Sequence, residues 1–179
     1  MKRLALLLLL LAACREGANM PKPVELTPEA VGFFCQMNIL EHGGPKGQVH
    51  LAELPGTPLF FSQVRDAVAY LRLPEQSYTV VAAYATDMGA VPGWDDLGTG
   101  HWVALDKAFF VVGSDRLGGM DQPELIPFAD EAKARSFATE HGGQVMRLDQ
   151  IPAEATLPPA SPDAEETDYT ARLKTQTGE

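Results

Sequence analysis

Apolar and polar positions divide the chain into three kinds of segment. From Leu4 to Ala13 the residues are almost pure leucine, a run suited to a signal-peptide core and too short to cross a bilayer as a helix. From about Glu29 to Ile151, apolar residues recur with strand and helix periods. From Pro152 onward large apolar residues nearly vanish. Pro158-Pro159, Pro162 and the acidic stretch Asp163 to Glu166 predict a disordered tail over residues 152–179.

The middle segment reads as two passes of one unit. In the first, Gln48-Val49-His50-Leu51-Ala52 alternates like a short strand, and a Pro/Gly loop leads to Phe60-Phe61. Val64, Ala67, Val68 and Leu71 then mark one helical face, with Ser62 as cap and Pro74 as stop. Tyr78 to Tyr84 forms the next strand. In the second pass, Ala108 to Val112 reads as a buried strand, and a Gly-rich loop leads to Pro127-Phe128. A helix follows, with Asp130 and Glu131 at its start and His141 before Gly142-Gly143 at its end, the polarity a helix dipole favours. Gln144 to Leu148 closes the unit. The pattern predicts an α+β fold of two small, similar halves, 29–90 and 91–151, each strand–loop–helix–strand, between disordered termini.

The N-terminus adds a location. Lys2 and Arg3 precede the leucine run, which ends in Leu11-Ala12-Ala13-Cys14. A small-residue site closed by cysteine is what lipoprotein processing requires. It predicts a signal peptide over 1–13, a lipid on Cys14 and a tether over 14–28. Arg15, rather than aspartate, after the anchor points to the outer membrane, facing the periplasm. Without Lys2 and Arg3 the chain keeps twelve basic residues against twenty-four acidic ones, near −12, which excludes a basic nucleic-acid footprint. Neither a Gly-x-Ser-x-Gly elbow nor a phosphate-binding loop is found, and the reading is of a protein that is not an enzyme.

Lipidation would consume one of the two cysteines and leave Cys35 without a disulfide partner in the chain. In an oxidising compartment such a thiol is buried, paired with another chain, or held by a soft ligand such as a metal. Cys35 and Met37 lie two apart, which in an extended segment puts both sulfurs on one side. Thiolate and thioether select Cu(I) over hard cations. The rival reading makes Met37 core filler and Cys35 a small buried hydrophobe, leaving a non-metal scaffold that docks to a membrane transporter complex. A thiol enzyme would need a base beside Cys35, and only His50 or His42 is near in sequence. Met120 on a Gly-rich loop and Met88 at a strand end are further candidate donors, as are His50 and His42. His42 lies in a turn and reads as solvated. His101 precedes Trp102 near another possible strand, and His141 reads as a helix-end residue. The spacings of a closed zinc site are absent.

At these residues the chain resembles the NosL family, accessory lipoproteins of nitrous oxide reductase. The resemblance runs from Cys35-Gln36-Met37 through His42-Gly43-Gly44-Pro45-Lys46-Gly47-Gln48, Phe61 and Tyr84-Ala85-Thr86-Asp87-Met88. It continues through Trp102, Ala108-Phe109-Phe110-Val111-Val112-Gly113-Ser114, Gly118-Gly119-Met120, Pro127-Phe128 and His141-Gly142-Gly143. It implies two small domains of like α+β topology. It also implies a chaperone carrying Cu(I) toward the copper–sulfide cluster of the reductase, with an ABC-transporter-type membrane complex as partner. Ligation would fall to Cys35 and Met37, completed by Met120 and with Met88 as a further donor. One departure is Asp121, where the resemblance leads one to expect glycine.

Overall fold

The computed structural model describes residues 20–156. The signal peptide, Cys14 and the tail beyond Thr156 lie outside them. Seven strands and two α-helices follow one another as β1 (Gly47–Leu51), β2 (Leu59–Phe61), α1 (Val64–Arg72), β3 (Val80–Thr86), β4 (Trp102–Ala104), β5 (Phe109–Leu117), β6 (Pro123–Phe128), α2 (Glu131–His141) and β7 (Gln144–Met146). They form two antiparallel sheets of order β2-β1-β3-β4 and β6-β5-β7. In each sheet the first strand of a β-β-α-β unit sits between the second and third. The repeat predicted from the sequence is thus a repeat of topology, and the fold is α+β. Each helix lies between the second and third strands of its unit in chain order, and in each unit a phenylalanine, Phe61 or Phe128, ends the second strand.

The two units share a core. Val64 and Val68 of α1 pack with Ala85 and Val103 of the first sheet, with Phe110 and Leu125 of the second, and with Leu105, Ala108 and Ile151. A neighbouring face of α1 presents Ala67 and Tyr70 to Val49, Leu51 and Phe61. Helix α2 contributes Ala134 to a separate cluster with Val111, Ile126 and Phe128. Its N-terminus is capped by Asp130, whose carboxylate accepts from Lys133 N at 3.1 Å. Gly143 (φ +91) lies so close to the Val112 carbonyl that a Cβ there would sit 2.7 Å from it, so the α2–β7 turn requires glycine.

Three boundaries differ from the sequence reading. Strand β4 pairs with β3, so the first sheet draws on residues beyond 90. Pro152 to Thr156 is not a loose tail: Ala153–Ala155 makes a 3-10 turn, Ile151 and Thr156 are buried, and the Arg72 guanidinium donates to the Leu148 and Ile151 carbonyls at 3.0 and 2.9 Å. Met20 to Glu25 is not a free tether. The Gln48 amide brackets Val24, accepting from its N–H at 2.8 Å and donating to its carbonyl at 3.0 Å. The Tyr84 hydroxyl donates to the Pro21 carbonyl at 2.7 Å. Gln48 and Tyr84 face each other across β1 and β3, so the strap is laid over one face of the first sheet by a cross-strand pair.

Candidate metal centre

Cys35 and Met37 sit on a tight loop rather than an extended strand. Val31 and Asn38 form an antiparallel bridge at its neck. Gly32 N donates to Met37 O and Gln36 N to Gly32 O, both at 2.9 Å. Gln36 occupies the left-handed region (φ +55), held by its own amide donating to Phe33 O at 2.7 Å. The alternation argument for the two sulfurs therefore does not apply, and loop closure sets the positions of both residues. Phe33 N donates to Phe60 O at 2.7 Å, which hangs the loop on β2. The rings of Phe33 and Phe34 stack edge-on against Phe61 at 5.9 and 5.3 Å.

Cys35 is half-buried, its Sγ 3.2 Å from Ser62 Oγ. It is not the inert core thiol of the scaffold reading. Met37 is 38% exposed, and Val31, Phe33, Phe34 and Leu40, its neighbours in the chain, are exposed as well. Ser62 does not cap α1, whose N-cap is Gln63, without a side-chain bond. The Ser62 hydroxyl is spent on the sulfur instead.

Behind Ser62 lies a residue that sequence reasoning missed. Lys46 is fully buried, and its ammonium donates to the carbonyls of Gly43 (3.0 Å), Gly44 (2.7 Å) and Ser62 (3.3 Å). Burial pulls its pKa down to about 8, while the charges of Glu124, Asp95 and Cys35 act the other way. Three carbonyls satisfy all three donors of an ammonium, so Lys46 pins the Gly43–Gly44 turn against the residue that touches Cys35. Trp94 roofs that turn: a Cβ on Gly44 (φ +80) would lie 2.9 Å from its ring.

The same turn carries His42, which is half-buried rather than solvated. Its Nδ1 lies 3.1 Å from Gly119 O. A carbonyl only accepts, so Nδ1 is the donor of this contact. Nε2 is buried and has no partner. This contact joins the Gly43–Gly44 turn, which follows the Cys35–Met37 loop in the chain, to the loop that carries Met120. Gly118, two residues before Met120, fits tightly against the Gln63 amide and the Glu124 carboxylate. Asp121, next in the chain, has φ +54. That is where the family resemblance called for glycine, and aspartate is one of the few other residues that visit this region readily.

Glu124 is the second missed residue. Its carboxylate accepts from Val64 N (3.2 Å) and Arg65 N (2.9 Å) at the start of α1, and from Leu125 N (2.8 Å). Those bonds favour the ionised form, yet complete burial outweighs them and pushes the pKa up to about 8. Glu124 thus caps, from the second sheet, the helix that Ser62 leaves uncapped.

The remaining candidates are engaged elsewhere. Met88, partly buried, packs against the cluster of Val111, Ile126 and Phe128, which gives its thioether a packing role. His50 is buried on the strap side of β1, 2.9 Å from Gln48 Oε1 and edge-on to Tyr84, with its pKa lowered by burial. His101 is the exception: it lines a cleft with Trp94, Asp95 and Asp96 that His42 and Lys46 line as well. His141 ends α2 beside Asp115, at 3.0 Å. Among the described residues, no three His, Cys, Asp or Glu side chains gather as a metal site, and no helix is long and apolar enough to cross a membrane.

The sulfur-bearing loops lie within a region, residues 23–156, that matches the NosL family model. The chain belongs to the NosL family. It is 49% identical over 173 residues to the copper-binding lipoprotein NosL of Achromobacter cycloclastes, covering 93% of this chain and 89% of that one. It is 32% identical over 153 residues to the copper-binding lipoprotein NosL of Stutzerimonas stutzeri, covering 82% and 78%. Its fold superposes on the crystal structure of the copper chaperone NosL from Shewanella denitrificans with a TM-score of 0.68, at 29% identity, over 74% of this chain and 98% of that one. The NosL fold is therefore the pair of β-β-α-β units described above.

Proposed function

We propose that this NosL protein is a periplasm-facing lipoprotein, anchored through Cys14, that carries one Cu(I) on Cys35, Met37 and Met120 and delivers it for assembly of the copper–sulfide centre of nitrous oxide reductase. The observation that carries this reading is the His42–Gly119 contact, which joins the turn five residues after Met37 to the residue before Met120. The relatives' names, copper-binding lipoprotein and copper chaperone, support the cargo and the anchor.

Loading requires Cys35 to give up its proton to solvent and form a copper–thiolate bond; two thioethers complete a soft, trigonal set. No redox step is involved. Release proceeds by exchange, each bond from copper to a partner's sulfur forming as one to this chain breaks. Met37, neutral and exposed at the rim, leaves first, and the Cys35 thiolate last. The exposed apolar side chains of Val31, Phe33, Phe34 and Leu40 meet the partner, the reductase or the ABC-transporter-type complex that serves it.

Titration of Cu(I) against a competing chelator tests the ligand set. Cys35→Ala should lose affinity by at least two orders of magnitude, the scale set by removing even supporting groups around a metal. Met120→Leu should lose less, because a thiolate and one thioether remain. Unchanged affinity in Cys35→Ala would end this reading. Delivery is tested by restoring reductase activity, in cells lacking the native chaperone, with the wild-type chain but not with Cys35→Ala.

A further inference from the structure

A second apolar surface lies away from the sulfur loops. A groove of about 480 Å³ is lined by Met20, Pro21, Leu54, Pro55, Val80 and Val81, together with the end of β1. Met20, Leu54, Val80 and Val81 are 55%, 44%, 37% and 38% exposed, and Tyr78, two residues before Val80, is 56% exposed. Packing within the chain does not explain so much large apolar surface gathered in one place.

Its position in the chain supplies an occupant. Met20 is separated from Cys14 by five residues, and six peptide units reach at most about 20 Å. The strap makes this short distance directional. Pro21 is held by Tyr84 and Val24 by Gln48, so the chain leaves the domain at the groove itself and not from a swivelling tether.

We infer that the Met20–Leu54–Val80–Val81 face rests on the bilayer that holds the Cys14 lipid, its side chains entering the boundary between headgroups and acyl chains. The inference rests on the Cys14 anchor proposed above. An acyl chain folded back into the groove would only exchange one hydrocarbon surrounding for another. Seating the groove on the bilayer removes its apolar side chains from water while the lipid stays where it is. Tyr78, with an apolar ring and a polar hydroxyl, suits the same boundary. The nearby Glu53 carboxylate is folded back onto Thr79 N, at 3.1 Å from both oxygens. Contact by an acidic chain of this kind is apolar and insensitive to salt.

The seating also orients the cargo site. The groove meets β1 at its Leu51 end, whereas Lys46, which reaches Ser62 beside Cys35, precedes its Gly47 end. The strand between them spans about 13 Å. With the groove on the bilayer, the Lys46–Ser62–Cys35 contacts are set off from it by the length of β1, which leaves them open to soluble partners.

The test uses the full lipidated chain on phosphatidylcholine vesicles. Cys35→Ser carries a single environment-sensitive fluorophore at either Leu54→Cys or Leu40→Cys. The expected result is a blue-shifted emission at position 54 that brominated lipids quench, at low and high salt alike, with neither effect at position 40. Equal, unquenched emission at both positions, in protein that still floats with the vesicles, would overturn the seating and leave the anchor intact. A blue shift at position 54 that brominated lipids do not quench would assign the groove to the protein's own acyl chain, and would also overturn it. Failure to float would remove the anchor and the seating together. Leu54→Asp with Val81→Asp gives a second readout: flotation is kept, while amide-exchange protection of residues 51–56 on vesicles is lost.

Discussion

Asp121 shows how much a single backbone angle decides at this site. Its left-handed φ of +54 turns the chain directly after Met120, a conformation open to glycine, tolerated by aspartate and resisted by β-branched residues. Asp121→Gly should therefore leave stability within about 0.5 kcal/mol of the wild type and keep Cu(I) affinity. Asp121→Val should cost about 1–2 kcal/mol and weaken copper binding by distorting the Met120 loop. Urea denaturation and chelator titration read the two effects; equal stability of the two variants would show that the turn is not under conformational control. At this scale the sequence was legible where chemistry is carried by residue type. The thiol and thioether of Cys35 and Met37 and the departure at Asp121 could all be read from it. It was not legible where burial depends on distant partners. Lys46 and Glu124 look like surface charges in the chain, and only the carbonyls of Ser62 and the amides of Val64 and Arg65 make them interior.

Among the elements, α1 is the one whose ends are held by others. Its first turn is capped by Glu124 from β6, and Arg72 in its last turn grips the chain after β7. The 3.6-residue period located the helix correctly, but the cap assigned to Ser62 was wrong, because that hydroxyl is occupied by the Cys35 sulfur. The extended geometry considered for Cys35–Met37 does not apply for a related reason: two-residue spacing is also compatible with a closed loop, and Gln36 in the left-handed region selects the loop. Glu124 gives α1 a pH dependence. Its folded pKa, about 8, lies above the ordinary carboxylate value of 4.5. The stability it contributes is thus fully present below pH 4.5 and is lost as pH rises through 8. Denaturation of the wild type should show stability falling across that window, and Glu124→Gln, which cannot ionise, should show a smaller fall. Parallel pH profiles for the two proteins would contradict the assignment.

For the whole molecule, the shared cluster of Val64, Ala85, Leu105, Phe110 and Leu125 makes the two sheets one cooperative unit. The two tryptophans report on each sheet separately: Trp102 lies on β4, and Trp94 packs against the cluster around Ile126. Single-tryptophan variants should unfold with coincident midpoints. Leu105→Ala should lower both together by about 2–5 kcal/mol, whereas separated midpoints would mean that the units are independent. The duplication was legible because each unit repeats strand, phenylalanine and helix in the same order. Its joining was not, since residues such as Leu105 and Ile151 carry no mark of which sheet they will meet.

The His42–Gly119 contact has a consequence at this same scale. It spans the two halves, and the sulfurs of the proposed ligand set come from either side of the duplication, two from the segment preceding β1 and one from the turn between β5 and β6. A monovalent ion held by all three becomes a staple across the repeat, so a loaded molecule should melt at a higher temperature than an empty one. Handing the ion to an acceptor then also slackens the donor, and the departing cargo helps to uncouple the two proteins.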